Sequence, residues 1–235
     1  MPQMDDENAL QLARDLRLQE FGAGRSDRIA EPVVEPLWSG LRVIAAAQGD
    51  AGVLLHDGEE LLDHGELTQA LAQAVAPAAS GVILDAYVTK QISGEDTGIR
   101  SGIMPIPSVG RLLARSLVGG RILDKAQQIE DDRAERAAQR FEAEDPVNLV
   151  AVDLLWLDGE WLLDVPLLER KRLLGAVLPG DPLVRPSMYV RPPIETWIGS
   201  WRAQGFRSLA FKGANSRYRP GEVAPDWITT PIPRR

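Results

Sequence analysis

Lysine is scarce in this chain. Lys90, Lys125, Lys171 and Lys212 are its only side-chain amines, so any amine nucleophile must be one of these four, and none precedes residue 90. Two histidines, His56 and His64, are too few for a multi-histidine metal site. With no cysteine, disulfides, thiol nucleophiles and zinc–cysteine clusters are excluded. The stretch with the most chemical promise is Glu35-Pro36-Leu37-Trp38-Ser39-Gly40-Leu41-Arg42. It reads as a short strand that enters a tight turn and leaves it. Gly40 supplies the freedom at positive φ, and Arg42 returns a fixed positive charge to the same end.

The 235 residues suffice for one large or two small domains, and 44% hydrophobic with 26% charged residues is ordinary for a globular protein. The net charge is −8, opposite to the balance of a dedicated nucleic-acid binder. DNA is therefore a disfavoured partner unless a local basic patch exists, and the arginines between 100 and 121 are the candidates for one. No apolar run reaches the length of a membrane span, and the acidic start is unlike a secretory or transit signal. The expectation is a cytoplasmic protein with no membrane partner.

The elements that must position the 35–42 stretch follow from pattern. Residues 6–21 predict a helix with Leu10, Leu12, Leu16, Leu18 and Phe21 as its apolar members, ended by Gly22-Ala23-Gly24. Residues 25–36 read as a linker. Short strands are expected at 41–47, 52–55 and 81–88, with a helix at 66–75. Residues 89–146 differ in texture, with an apolar, arginine-bearing stretch at 103–117 and a charge-alternating helix at 122–144. Beyond them come a buried strand at 147–157, a helix at 165–178 entered by Pro166, and a proline-rich extended segment at 182–193. A helix at 194–204 and strands at 206–211 and 227–232 complete the pattern. This order of strands and helices predicts an α+β fold.

Four stretches share one resemblance. Residues 35–42 resemble the nucleotidyl-lysine motif of ATP-dependent DNA ligases, E-P-K-W-D-G-x-R. Val152-Asp153-Leu154-Leu155-Trp156-Leu157-Asp158-Gly159 followed by Pro166-Leu167-Leu168-Glu169-Arg170-Lys171 is similar to F-D-L-L-Y-L-D-G…P-L-L-E-R-R. Gly205-Phe206-Arg207-Ser208-Leu209-Ala210-Phe211-Lys212 is similar to G-F-E-G-V-V-A-K. Ser216-Arg217-Tyr218-Arg219-Pro220-Gly221 and Asp226-Trp227-Ile228-Thr229-Thr230 resemble the last motifs. The motifs keep the family's order and spacing over residues 30–233. The resemblance implies a ligase-type adenylation domain: two antiparallel sheets with flanking helices, ATP-grasp-like, with ATP between them. It further implies an N-terminal helical extension at 1–29, the domain proper at 30–235, and a charge-rich helical insertion at about 89–146. The OB-fold domain that follows in active ligases is not expected.

The same alignment removes the chemistry. The family's lysine attacks the α-phosphorus of ATP through its lone pair, and that position is Leu37. The aspartate two residues on is Ser39. The glutamate that helps bind nucleotide and metal is Tyr87, and that of the fourth motif is Arg207, which repels Mg²⁺. The last lysine pair falls on Thr229 and Pro231, the adenine-stacking aromatic on Val152, and an arginine on His56. Glu35, Arg42, Asp85 and Lys212 remain as vestigial nucleotide-binding positions, although an internal ion pair is an equal or better reading of Arg42 and Lys212. No metal site is expected, and ATP with Mg²⁺ would be expected only of a working pocket. The implied protein is a pseudoenzyme with a binding or regulatory role beside DNA repair or end joining, acting through an unidentified protein partner. Two alternatives are an enzyme that joins pre-adenylated ends or uses atypical chemistry, and an arginine-mediated nucleic-acid-binding module.

Overall fold

Leu41–Gln48 alternates between two apolar environments, the signature of a strand covered on both faces, and it forms β3 at the centre of the larger sheet. The structure is a computed structural model that describes residues 8–91, 147–181 and 183–233. The chain divides into Met1–Gln91 with Val147–Arg235, and Ile92–Pro146; the second unit lies outside the described residues, and with it the readings at 103–117 and 122–144.

From β3, the Gln48-Gly49-Asp50 turn leads to β4 (Ala51–His56) and a short β5 (Glu59–Glu60). Helix α2 (Gly65–Val75) then returns the chain to β6 (Gly81–Thr89), which is buried along its whole length. Strand β7 (Asn148–Leu157) pairs with β6 and carries β8 (Glu160–Trp161) at the edge. The sheet order is β5-β4-β3-β6-β7-β8, all antiparallel. Strand β9 (Val184–Pro186) joins β7 in parallel. The outer face packs on Leu67, Leu71 and Val75 of α2 and on Leu174 and Val177 of α3 (Leu167–Val177).

A four-stranded sheet faces the inner side. Its order is β1 (Glu20–Gly22), β11 (Val223–Pro231), β10 (Ser208–Gly213) and β2 (Pro32–Pro36). The pairings are antiparallel except β1 on β11. Helix α4 (Glu195–Ala203) buries Trp201 against Val34, Trp38 and Leu209. The architecture is thus α+β, two largely antiparallel sheets with flanking helices.

Two N-terminal readings need correction. The helix expected at 6–21 is only α1 (Ala9–Asp15), capped by Asn8. Leu16-Arg17-Leu18-Gln19 alternates apolar and polar, an extended-chain period that competes with the helical one, and the chain leaves the helix there for β1. The linker read at 25–36 ends in β2, because Pro32 and Pro36 sit at the ends of an edge strand, where a missing N–H costs little.

The turn after β2 behaves as its glycine suggests. Gly40 has φ +127°, and a Cβ there would collide with the carbonyl oxygen of Val88. The backbone can therefore pass from β2 to β3, and so from one sheet to the other, only with a residue lacking a side chain.

Candidate functional site

Polar residues inside an apolar core must find partners, and three carboxylates between these sheets do so. Glu35 sits in β2 among Val33, Val34 and Pro36, so its side chain has no route to water. Lys171 Nζ lies 2.8 Å from one of its oxygens and Lys212 Nζ 3.2 Å from the other. Aromatic faces close the cage: Trp227 lies 4.2 Å from Lys212 Nζ, and Tyr189 5.7 Å from Lys171 Nζ. Burial lowers the Lys171 pKa, and Glu35 resists that shift.

Asp85 and Asp153 stand opposite each other on β6 and β7, where like charges repel. Each is answered by its own arginine. Arg42 binds Asp85 in two-point fashion, Nε at 2.9 Å and Nη2 at 2.5 Å. Arg170, from α3, does the same to Asp153 at 2.9 and 2.8 Å. Arg170 also donates to the carbonyls of Val165 and Ser216. The Tyr218 hydroxyl donates to Asp85 at 3.2 Å and accepts from the Gln19 amide at 3.0 Å. Burial works against the Arg42 charge, but Asp85 outweighs it and raises its pKa.

Beside this network lies the cavity that the 35–42 stretch helps to enclose. Glu35, Leu37, Arg42, Tyr87, Val152 and Lys212 line it, together with Phe21 from the N-terminal segment. Its volume is about 10 Å³, roughly the room that a single water needs. A pocket for a drug-sized ligand holds about 300–1,000 Å³.

The structure therefore brings Glu35, Arg42, Asp85 and Lys212 together, as internally paired charges. Leu37 and Tyr87 project on the cavity. The other degenerate positions do not. Ser39 is exposed and hydrogen-bonds Gln91. Arg207 and Thr229 are exposed on β10's approach and on β11. Arg207, expected to repel Mg²⁺ in the pocket, is exposed and is not among the residues that line the cavity. His56, the position where the family has an arginine, is half-buried with Nδ1 3.0 Å from the Arg42 carbonyl oxygen. Among the described residues, no cluster of three or more His, Asp or Glu side chains could hold a metal.

Sequence reasoning missed Lys171, Arg170 and Phe21. A signal existed for the lysine: Glu35 within an apolar strand demands a cation, and four lysines leave few choices.

The buried phenols give a pH test. Burial pushes the Tyr87 hydroxyl up to about 12, against the pull of Arg42, and raises Tyr218 well above its ordinary value. An acid raised in the fold stabilises fully below its unfolded pKa of 10.0 and loses that contribution as pH rises through the folded value. Stability against denaturant should therefore fall between pH 10 and pH 12, with Tyr87 accounting for about 3 kcal/mol. Unchanged stability across that window would refute the assignment.

No family model matches the chain. It is 27% identical over 199 residues to the multifunctional non-homologous end joining protein LigD of Mycolicibacterium smegmatis, covering 84% of this chain and 21% of that protein. Over 86 residues it is 31% identical to a DNA ligase of Methanothrix thermoacetophila, covering 35% of this chain and 15% of the relative. The chain thus spans about a fifth or less of the length of these curated relatives. Among solved structures, the ligase domain of M. tuberculosis LigD matches with a TM-score of 0.62 at 21% identity, over 93% of this chain and 60% of that one. The ATP-dependent DNA ligase of bacteriophage T7 in complex with ATP matches with a TM-score of 0.53 at 12% identity, over 94% and 69%.

Proposed function

We propose that this ligase-like chain, which has the fold of the ATP-dependent DNA ligase adenylation domain, is a pseudoenzyme that acts by binding rather than by nucleotidyl transfer. The observation that carries the reading is the state of the cleft. The reacting position, Leu37, has no lone pair, and it faces a cavity of about 10 Å³ whose cations already hold protein carboxylates. A nucleotide with Mg²⁺ does not fit these residues. Asp85 and Glu35 are both committed to internal ion pairs, and Tyr87 offers a protonated hydroxyl where a carboxylate would be needed.

The role beside DNA repair or end joining rests on the M. smegmatis relative, whose name states end joining. A protein partner fits the acidic chain better than DNA does, because a net charge of −8 repels phosphate. The test is incubation with α-phosphate-labelled ATP and Mg²⁺, followed by a denaturing gel. No labelled band is expected from the natural chain. None is expected from Leu37→Lys either, since a restored amine still meets a closed cleft. An acid-labile, base-stable adenylate on the natural chain would overturn the proposal.

A further inference from the structure

The cleft is shut by the chain itself. Helix α1 lies on β3, β4 and β6 of the larger sheet. Its buried face is Ala9 and Ala13, and two small side chains let the helix approach closely. Gln48 Oε1 accepts from the Ala9 amide at 2.6 Å, and Arg14 pairs with Glu60 at 2.9 Å. A few residues later the same segment becomes β1, an added strand on the smaller sheet. The Glu20 amide donates to the Glu222 carbonyl at 2.9 Å. Gly22 passes so close to β11 that a Cβ would strike the carbonyl oxygen of Ala224. One short segment is thus fastened to both sheets.

Between its two anchors it faces the cleft. The Phe21 ring lies 5.4 Å from the Arg42 guanidinium of the larger sheet and 5.9 Å from Lys212 Nζ of the smaller one. It also meets the Trp227 ring at 5.8 Å. Arg42 Nη1 donates to the Gln19 carbonyl at 2.8 Å, and Gln19 is itself fully buried. On the side away from Asp85 and Glu35, the two cations of the cleft therefore meet a ring face and a backbone carbonyl of residues 19–21. These contacts are weaker than a charge-assisted bond to an anion, so the segment can be displaced.

We propose that residues 8–24 are an internal strap that holds the cleft closed, with Phe21 as its plug, and that release of β1 is the switch that exposes Arg42 and Lys212. The strap concerns the cleft of the preceding reading, but it does not need that cleft to be inert: the labelled-ATP gel tests chemistry, and the following measurements test closure. In amide exchange on the full chain, the Gln19 and Glu20 amides should exchange through an opening that leaves β6 and β7 protected. If they exchange only together with β6 and β7, the strap does not move separately and the proposal fails. Phe21→Ala should lower protection at residues 19–22 by about tenfold. It should also bind inorganic tripolyphosphate at least about tenfold tighter than the natural chain in calorimetry. Equal binding by the two proteins, or binding by neither, would overturn the switch. Gly22→Ala disturbs the strap from outside the cleft and should show the same loss of protection; unchanged exchange in that variant would count equally against it.

Discussion

Asp153→Asn is expected to destabilise the domain by about 3–5 kcal/mol, a large part of the roughly 5–15 kcal/mol that holds a typical domain folded. Asp153 and Arg170 are both inaccessible to solvent, and the carboxylate takes two guanidinium N–H groups at 2.9 and 2.8 Å. Asparagine keeps the shape but cannot neutralise the arginine, and its amide N–H₂ would point at another donor. Arg170 would then be a buried cation without a counter-charge, left with the asparagine oxygen, the carbonyls of Val165 and Ser216 and the Tyr218 ring, none of which neutralises it. The cost should fall when the charge is removed with its partner. Asp153→Leu combined with Arg170→Met should unfold at a higher urea concentration than Asp153→Asn alone. If the single substitution lowers the unfolding free energy from urea titration by less than about 1 kcal/mol, the pair is not the buried, dry interaction described.

The second large effect belongs to Glu35→Gln, also about 3–5 kcal/mol at neutral pH. Here one carboxylate serves two ammonium groups, so its loss leaves Lys171 and Lys212 as like charges in the same cage. The pH dependence distinguishes this site from the first. Burial already lowers the Lys171 pKa from 10.5, and Glu35 is what opposes that fall. Without Glu35 the value drops further. The unfolded chain then binds a proton that the folded chain has given up, so stability rises with pH between the folded value and 10.5. Glu35→Gln should therefore regain stability from neutral pH to about pH 9 more steeply than Asp153→Asn, because Glu35 opposes the Lys171 shift more than Asp153 does and Arg170 keeps its proton throughout. Parallel urea titrations of the two variants check this. A flat pH profile for Glu35→Gln would show that Lys171 is not the group that suffers.

In the proposed pseudoenzyme, these ion pairs would let the scaffold persist without the reacting groups. Arg42, Asp85, Asp153 and Lys212 stabilise the interface between the sheets whether or not a ligand is present. Leu37 and Tyr87 line the remaining space and add apolar contact there. Positions that meet solvent, Ser39, Arg207 and Thr229, have no such constraint.

Much was legible from residues alone. Local pattern determined β3, β4, α2, β6, β7 and α3 to within a few residues, because the strands are short apolar runs bounded by turn residues and α2 carries a helical period. Ordered motifs determined the two-sheet fold; that Leu37 stands at the reacting position is what the resemblance implies. Only the tertiary structure decided what the charges do. Lys171 is 136 residues from Glu35 in sequence and 2.8 Å from it in space. An ion pair of that kind depends on where a helix and a strand are brought together, and no local period encodes it. The N-terminal segment shows the same limit. Leu10, Leu12, Leu16, Leu18 and Phe21 suit a helix as well as an extended chain, and the free edge of β11 together with the cations beneath Phe21 settled the choice. Propensity is worth tenths of a kcal/mol per residue, whereas a strand's hydrogen bonds and a buried ring contribute on the order of whole ones.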